Sequence, residues 1–291
     1  MSKPLNEKEI RSLVSLIDDN EVYETVFAKI VDLGDEVINI LDEELEVTLD
    51  VVKNNRLQAA YNQIILNSCV SEMKEWKANN ARNLFRGLTI ISRLRYPQLD
   101  LEFVNQEINR LKDSLWLELN DNLTALEKVR ILNNVFFDMY GFSGDTKDFF
   151  NPKNSFLIDI LKRKKGNPIT MSSLYSIVAQ SVGIPVYGIN LPRHFIVAYA
   201  DSLLRHPYTS VKRTNILFYV NPFANGEIYS QKEVLGFLNK LNIKTKDELL
   251  LPCSNMVTLH RTLNNLILIY KNNGDKFLED GYKKLNEVLD S

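Results

Sequence analysis

Apolar residues recur at helical spacing from the N-terminus through the first seventy positions. Leu13, Leu16 and Ile17 form one set, Val22, Val26 and Ile30 a second, and Val37, Ile38, Leu41 and Leu45 a third. Asp18, Asp19 and Asn20 are predicted to cap the second helix, Gly34 to end it in the left-handed conformation, and Asp35 to cap the third. Further helices are predicted at about 57–75, 78–94 and 101–117, with Pro97 between the last two and Asp100 as a cap. Thr124-Ala125-Leu126-Glu127 is a capping box ahead of an apolar face of Leu126, Val129, Leu132 and Phe136.

After a turn-rich stretch from Gly141 to Phe150, Asn154-Ser155 is read as the cap of a helix ending near Gly166, and Ile169 to Val182 as the next helix. The period then shortens. Pro185–Asn190, His194–Ala200 and Ile216–Asn221 are β-branched and aromatic runs with turn residues between them, and read as strands. Asp201 to Thr214 reads as an exposed hairpin loop. Asn225-Gly226 is a turn leading into a short return strand, Glu227–Tyr229. Ser230-Gln231-Lys232-Glu233 is a second capping box, and two helices follow Pro252, separated at Asn273-Gly274-Asp275.

The prediction is an α-rich α+β chain in three parts. A helical region spans 1–76, whose helix pairs resemble HEAT repeats as well as a plain helical subdomain. A mixed domain with a small antiparallel sheet spans 77–250, and a helical hairpin spans 251–291.

Composition changes this picture little. With 35 basic and 37 acidic residues, net charge −2, the total gives no electrostatic case for nucleic acid or anionic membrane as partner. The basic run Lys162-Arg163-Lys164-Lys165 sits where cations complement a helix C-terminus. Only Cys69 and Cys253 are present, which suits a reducing cytoplasm. MSKPLNEKEI lacks an apolar signal core, and no run approaches the roughly 20 apolar residues of a membrane span. No His–carboxylate spacing fits a metal and no Gly-rich loop fits a phosphate, so neither a metal nor any other cofactor is expected.

The candidate chemistry lies between Asn154 and Phe223. Gly166-Asn167-Pro168 opens a helix, His194 starts a predicted strand, and Asn221 ends another just before Pro222. A thiol site places its nucleophile at a helix N-terminus, a His beside it, and a polar residue that orients the His. An Asn can do the orienting, because holding a ring requires no charge. The thiol is missing here.

Asn154-Ser155-Phe156-Leu157, Gly166-Asn167-Pro168-Ile169-Thr170, Leu174-Tyr175, Gly183-Ile184-Pro185, Leu191-Pro192-Arg193-His194-Phe195-Ile196-Val197 and Asn221-Pro222-Phe223 together resemble the bacterial SirB1 family of the transglutaminase-like superfamily, over roughly residues 80 to 245. The resemblance implies a papain-like core followed by a tetratricopeptide-like tail, to which Leu259–Tyr270 and the last helix are similar. Carried over residue by residue, His194 matches the His position, and Asn221 stands where Asp is usual. The nucleophile position falls on Pro168, beside Ile169 and Thr170. SirB1-like chains share the loss of the Cys, and often have Gly where Arg193 stands.

Each of these residues also has a structural reading. His194 is a leftover base, a ligand donor or a core imidazole. Asn221 before Pro222 is a turn residue or an orienter, and Thr170 a cap or a substitute nucleophile. Arg193 binds a carboxylate or lies in solvent. Cys253 follows Pro252 at a predicted helix start, with His260 about two turns, or roughly 10 Å, further along. Cys69, among Ile64, Ile65, Leu66 and Val70, reads as a buried hydrophobe. The function expected is that of a non-catalytic module binding a protein or peptide partner through Pro168, Arg193, His194 and Asn221. The alternative is a hydrolase or acyltransferase that uses Thr170 or Cys253 with His194.

Overall fold

The computed structural model describes residues 5–205, 208, 211–243 and 247–290. The chain divides into two compact units, one ending at Glu72 and one beginning at Met73.

The first unit is helical. Helix α1 (Glu7–Ser15) opens on a capping box between Asn6 and Glu9, and α2 (Tyr23–Leu33) and α3 (Ile38–Val47) follow. The unit's border falls inside α4 (Val51–Glu75). Ile10, Val14, Val26, Ile30, Val37 and Leu41 are buried at the spacing the pattern predicts. Two predicted caps are replaced. The Asp19 side chain accepts from the Glu21 N–H at 2.8 Å, while Arg56 donates to the carbonyls of Ile17 and Asp18 and to Asn20, so α2 has Val22 as its N-cap and no side-chain cap bond. Asp35 lies within a 3-10 turn, Gly34–Val37, that runs straight into α3.

In the second unit a π-helical turn, Trp76–Asn80, delays the next helix, because the Trp76 indole N–H reaches the Asn83 carbonyl at 2.8 Å. Helices α5 (Leu84–Arg95), α6 (Leu101–Glu118) and α7 (Ala125–Asn133) follow, capped by Asn83, Asp100 and Thr124. A parallel pair of two-residue strands, β1 (Ser143–Gly144) and β2 (Lys165–Gly166), flanks α8 (Leu157–Arg163). Asn154 and Ser155 do not cap α8, which starts from Phe156 with no side-chain cap. They are buried and bonded elsewhere.

Helix α9 (Pro168–Ser181) is the centre of this unit. Ile169 to Ser176 are all buried, and the helix packs against α5, α6, α8 and the sheet strands β3 (Val186–Ile189) and β4 (Ile196–Ala200). With β5 (Ile216–Asn221) and β6 (Glu227–Tyr229), these make an antiparallel sheet in the order β3-β4-β5-β6. The connection between paired Asn221 and Glu227 runs through the 3-10 turn Pro222–Ala224 and closes on Asn225 and Gly226, both at positive φ, 49° and 75°. The loop predicted between Asp201 and Thr214 falls partly outside the described residues.

Helix α10 (Gln231–Lys240) opens on the Ser230–Glu233 capping box. It closes a second core with Ile189, Leu191, Ile196, Ala198 and Tyr219. Helices α11 (Asn255–Asn273) and α12 (Lys276–Asp290) form the C-terminal hairpin, turned at Gly274 with φ 74°. The architecture is α-rich α+β, as the sequence pattern predicts.

Candidate functional site

The start of α9, where a thiol nucleophile is expected, is a closed cap. The Asn167 side-chain oxygen accepts from the Ile169 and Thr170 N–H groups, both at 3.0 Å, and from the Thr170 hydroxyl at 3.2 Å. Its amide donates to Ser155 Oγ at 2.9 Å, and its backbone N–H to the Asn154 carbonyl at 3.1 Å. Pro168 takes the first helical position, where a missing N–H costs nothing. Thr170 is fully buried, and its hydroxyl proton is committed to Asn167.

The layer beneath is ionic. Arg163 donates to Asn154 at 2.9 Å and to buried Asp145 at 3.1 Å. Burial alone would raise the Asp145 pKa. Hydrogen bonds from the Asp148 N–H and Asn154, together with the Arg163 guanidinium, outweigh it and hold the carboxyl below its ordinary value.

His194 lies two residues before β4, in the turn Leu191–His194, rather than on the strand. Along β4, residues 196 and 198 fall on one face of the sheet, and 197 and 199 on the other. Just before the strand, Phe195 borders the cavity beside α9 and its carbonyl accepts from Ser172 at 3.3 Å, while Ile196 and Ala198 join the α10 core. His194 lines a groove of about 470 Å³ with Leu191, Ile196, Asn221, Tyr229 and Phe237. Its ring stands edge-on to Phe237, with centroids 4.7 Å apart. His194 is exposed by surface area, but the groove walls cover one side of its ring, and this partial burial, then the positive field of Arg261, lower its pKa below 6.5, so the imidazole is mainly neutral at pH 7. Arg261 itself fixes the turn, donating to Asn190 Oδ1 at 2.7 Å and to the Leu191 carbonyl at 3.1 Å.

Asn221 shares the groove with His194, but its side-chain oxygen accepts from the Phe223 N–H at 3.2 Å, a local turn bond ahead of the 3-10 turn Pro222–Ala224. The groove thus brings together His194 and Asn221. No residue of α9 lines it among the described residues, so Pro168 and Thr170 stand apart. Arg193 is exposed beside His194 with φ 64°.

Cys253 precedes α11 but lies outside the helix, whose cap is Ser254. Its N–H bonds the Gly188 carbonyl on the outer edge of β3 at 2.9 Å. Burial pushes the thiol up to about 11, the reverse of what a helix start does to a thiolate. It borders a small polar cavity with Ser172, Ser173 and Ser176, whose size suits a single water. The Ser173 and Ser176 hydroxyls have no partner there among the described residues. His260 is tied into the C-terminal hairpin, 2.8 Å from Asn286 and 3.4 Å from Asp290. Cys69 is fully buried. Among the described residues no three His, Cys, Asp or Glu side chains gather where they can hold a metal ion.

Sequence reasoning missed the far wall of the groove. Glu233, Gly236, Phe237 and Lys240 share one face of α10 at spacings of three, four and seven. That spacing was available, but the mixed polarity of the set does not register as a site.

A family model described as the transglutaminase-like superfamily matches residues 102–264. A UPF0162 protein of Vibrio cholerae is 29% identical over 159 residues, 55% of this chain and 54% of that protein. A UPF0162 protein of Xylella fastidiosa is 26% identical over 63% of each chain. F-box only protein 21 of Mus musculus is 28% identical over 55% of this chain and 24% of its own length. The similarity therefore spans less than two thirds of each of these relatives. No solved structure matches the chain.

Proposed function

The chain belongs to the transglutaminase-like superfamily, and from that premise we propose that it is a member of the SirB1 family acting as a non-catalytic module that binds a protein or peptide partner. One observation carries this reading. The groove beside β4–β6 and α10 is open and of ligand size, whereas the polar groups that start α9 are all spent on one another. Apolar walls with a few polar points are the usual make-up of a binding groove. The same module occupies about a quarter of F-box only protein 21, so it serves as one part of longer chains. A reducing, cytoplasmic setting fits a chain whose two cysteines are not joined in a disulfide. No helix among the described residues is long and apolar enough to cross a membrane. In this reading α11 and α12 are a tetratricopeptide-like unit, and the N-terminal helices a HEAT-like addition.

The opposing reading makes the chain a hydrolase or acyltransferase with Thr170 or Cys253 as nucleophile. The test is labelling of the full chain with a hydroxyl-directed fluorophosphonate and a thiol-directed iodoacetamide probe, alongside His194→Ala. The expected outcome is no fluorophosphonate adduct, and slow Cys253 alkylation that His194→Ala leaves unchanged. Labelling that disappears in His194→Ala establishes the enzyme instead.

A further inference from the structure

We propose that the His194 groove recognises an acidic segment of a partner protein, lying across Gly236 of α10 with its carboxylates held by Arg193 and Lys240. This rests on the binding reading above and names the chemistry of what is bound.

The first observation is Gly236. It sits inside α10, where glycine costs about 1 kcal/mol relative to alanine, and its φ is not in the left-handed region. A Cβ built there meets nothing within 4 Å among the described residues. Neither backbone conformation nor packing among the described residues accounts for the missing side chain. Gly236 does line the groove, and its bare backbone lets a second chain approach closely.

The second is Arg193. The His194 N–H bonds the Leu191 carbonyl at 3.1 Å, so Pro192 and Arg193 are the central residues of a four-residue turn. Arg193 takes φ 64° at the third position, which glycine or asparagine fills without strain. A long cation held there at some conformational cost, exposed and with no ion-pair partner among the described residues, is displayed for something outside the chain.

The third is the charge of the walls. Lys240 lines the groove, is exposed, and likewise has no ion-pair partner among the described residues. The one carboxylate in the lining, Glu233, accepts from the Ser230 N–H and hydroxyl at 2.7 Å each, which commits it to the cap of α10. The net charge of −2 conceals a division. Residues 1–72 hold 6 basic and 15 acidic side chains, and residues 73–291 hold 29 and 22. The unit that contains the groove is therefore basic, and an acidic partner complements it.

The test uses the full chain and fluorescein-labelled peptides of about ten residues, alternating Leu or Phe with Glu, with Gln or with Lys. Binding is read by fluorescence anisotropy. The Glu peptide is expected to bind, and Arg193→Ala and Lys240→Glu each to weaken it about tenfold or more, with affinity falling as salt rises. Gly236→Leu, at a helix position with free space around it, is expected to leave Tm unchanged or higher and to abolish binding. If the Gln or Lys peptide binds as well as the Glu peptide and Gly236→Leu still abolishes binding, the groove binds peptides but the acidic preference is overturned. Binding of none of the peptides, with Gly236→Leu and Lys240→Glu behaving like the parent chain in a partner pull-down, overturns the binding reading too. Concentration-dependent self-association lost in Lys240→Glu places a second copy's acidic helices in the groove and overturns the foreign partner.

Discussion

The start of α9 and the groove beside α10 lie in one domain and have opposite characters. At the first, each polar atom of Asn167 has a partner, Thr170 is sealed, and an ion pair lies beneath. At the second, a neutral imidazole, a lysine with no ion-pair partner among the described residues and a bare helix backbone line an open space. In a thiol enzyme the helix start is the reactive place and the neighbouring wall supports it. Here the helix start is built as structure, and the open polar groups lie in a separate groove. What the difference teaches is that two polar places in one domain can divide the work, one as a fastening and one as a surface.

The largest effect expected is at the fastening. Asn167→Ala removes four hydrogen bonds in a buried setting and leaves the Ile169 and Thr170 N–H groups without their cap. Cap loss together with orphaned buried donors is expected to cost about 3 kcal/mol, measured by urea unfolding. If the start of α9 were a working cleft accustomed to solvent, water would replace the lost oxygen and the cost would stay near that of an exposed cap, about 1 kcal/mol.

Next comes the ion pair under that cap. Arg163→Met leaves buried Asp145 without its cation, and is expected to destabilise the fold by about 2–3 kcal/mol at pH 7. The pH dependence has a definite sign. The Asp145 pKa is lower folded than unfolded, so its contribution is complete above the ordinary value of 3.8 and is lost as pH falls through the lower folded value. In Arg163→Met, burial acts with less opposition and the acid loss begins at higher pH. Thermal unfolding across pH 3 to 7 compares the two chains.

A smaller effect, of opposite sign, marks the boundary between the two regions. The Ser176 hydroxyl is buried without a partner among the described residues, in the small cavity between α9, β3 and Cys253. Ser176→Ala removes that burden and is expected to raise stability by up to about 1 kcal/mol. A loss instead would show that a polar group is held in that cavity, giving the fastening side a ligand of its own.

How far the sequence reveals these features depends on whether the cause is local. The capping boxes at Thr124 and Ser230, the Asn225-Gly226 turn and the Gly274 stop are each set by residues within four positions, and all are as predicted. The caps predicted at Asp18–Asn20 and Asn154-Ser155 failed because partners distant in sequence, Arg56 in one case and Arg163 and Asn167 in the other, claim the same groups. The strands were visible from their period, yet placing His194 at a strand start ignored the turn fixed by Arg261 some seventy residues later. Cys253 shows the same limit. Its position after Pro252 suggests an activated thiol, but the chain passes along the edge of β3 before α11 begins, and burial decides its protonation. The groove itself is made by the packing of α10 on the sheet, which no local pattern encodes.

The finest test concerns the imidazole that both readings of the molecule share. Its pKa is lowered first by burial and second by Arg261, so the two causes can be separated by NMR titration of the His194 ring. Phe237→Ala opens the wall against which the ring stands and is expected to move the pKa upward more than Arg261→Gln, which removes the weaker cause together with two hydrogen bonds to the turn. In the parent chain the depressed value means that protonation favours the unfolded state, so any stability held by the neutral ring fades as pH drops from 6.5 through the folded pKa. A general base retained for catalysis is tuned toward the working pH instead. A titration midpoint at or above 6.5, insensitive to Phe237→Ala, would mean that the ring is solvated and faces away from the wall, and the groove would lose the residue that defines it.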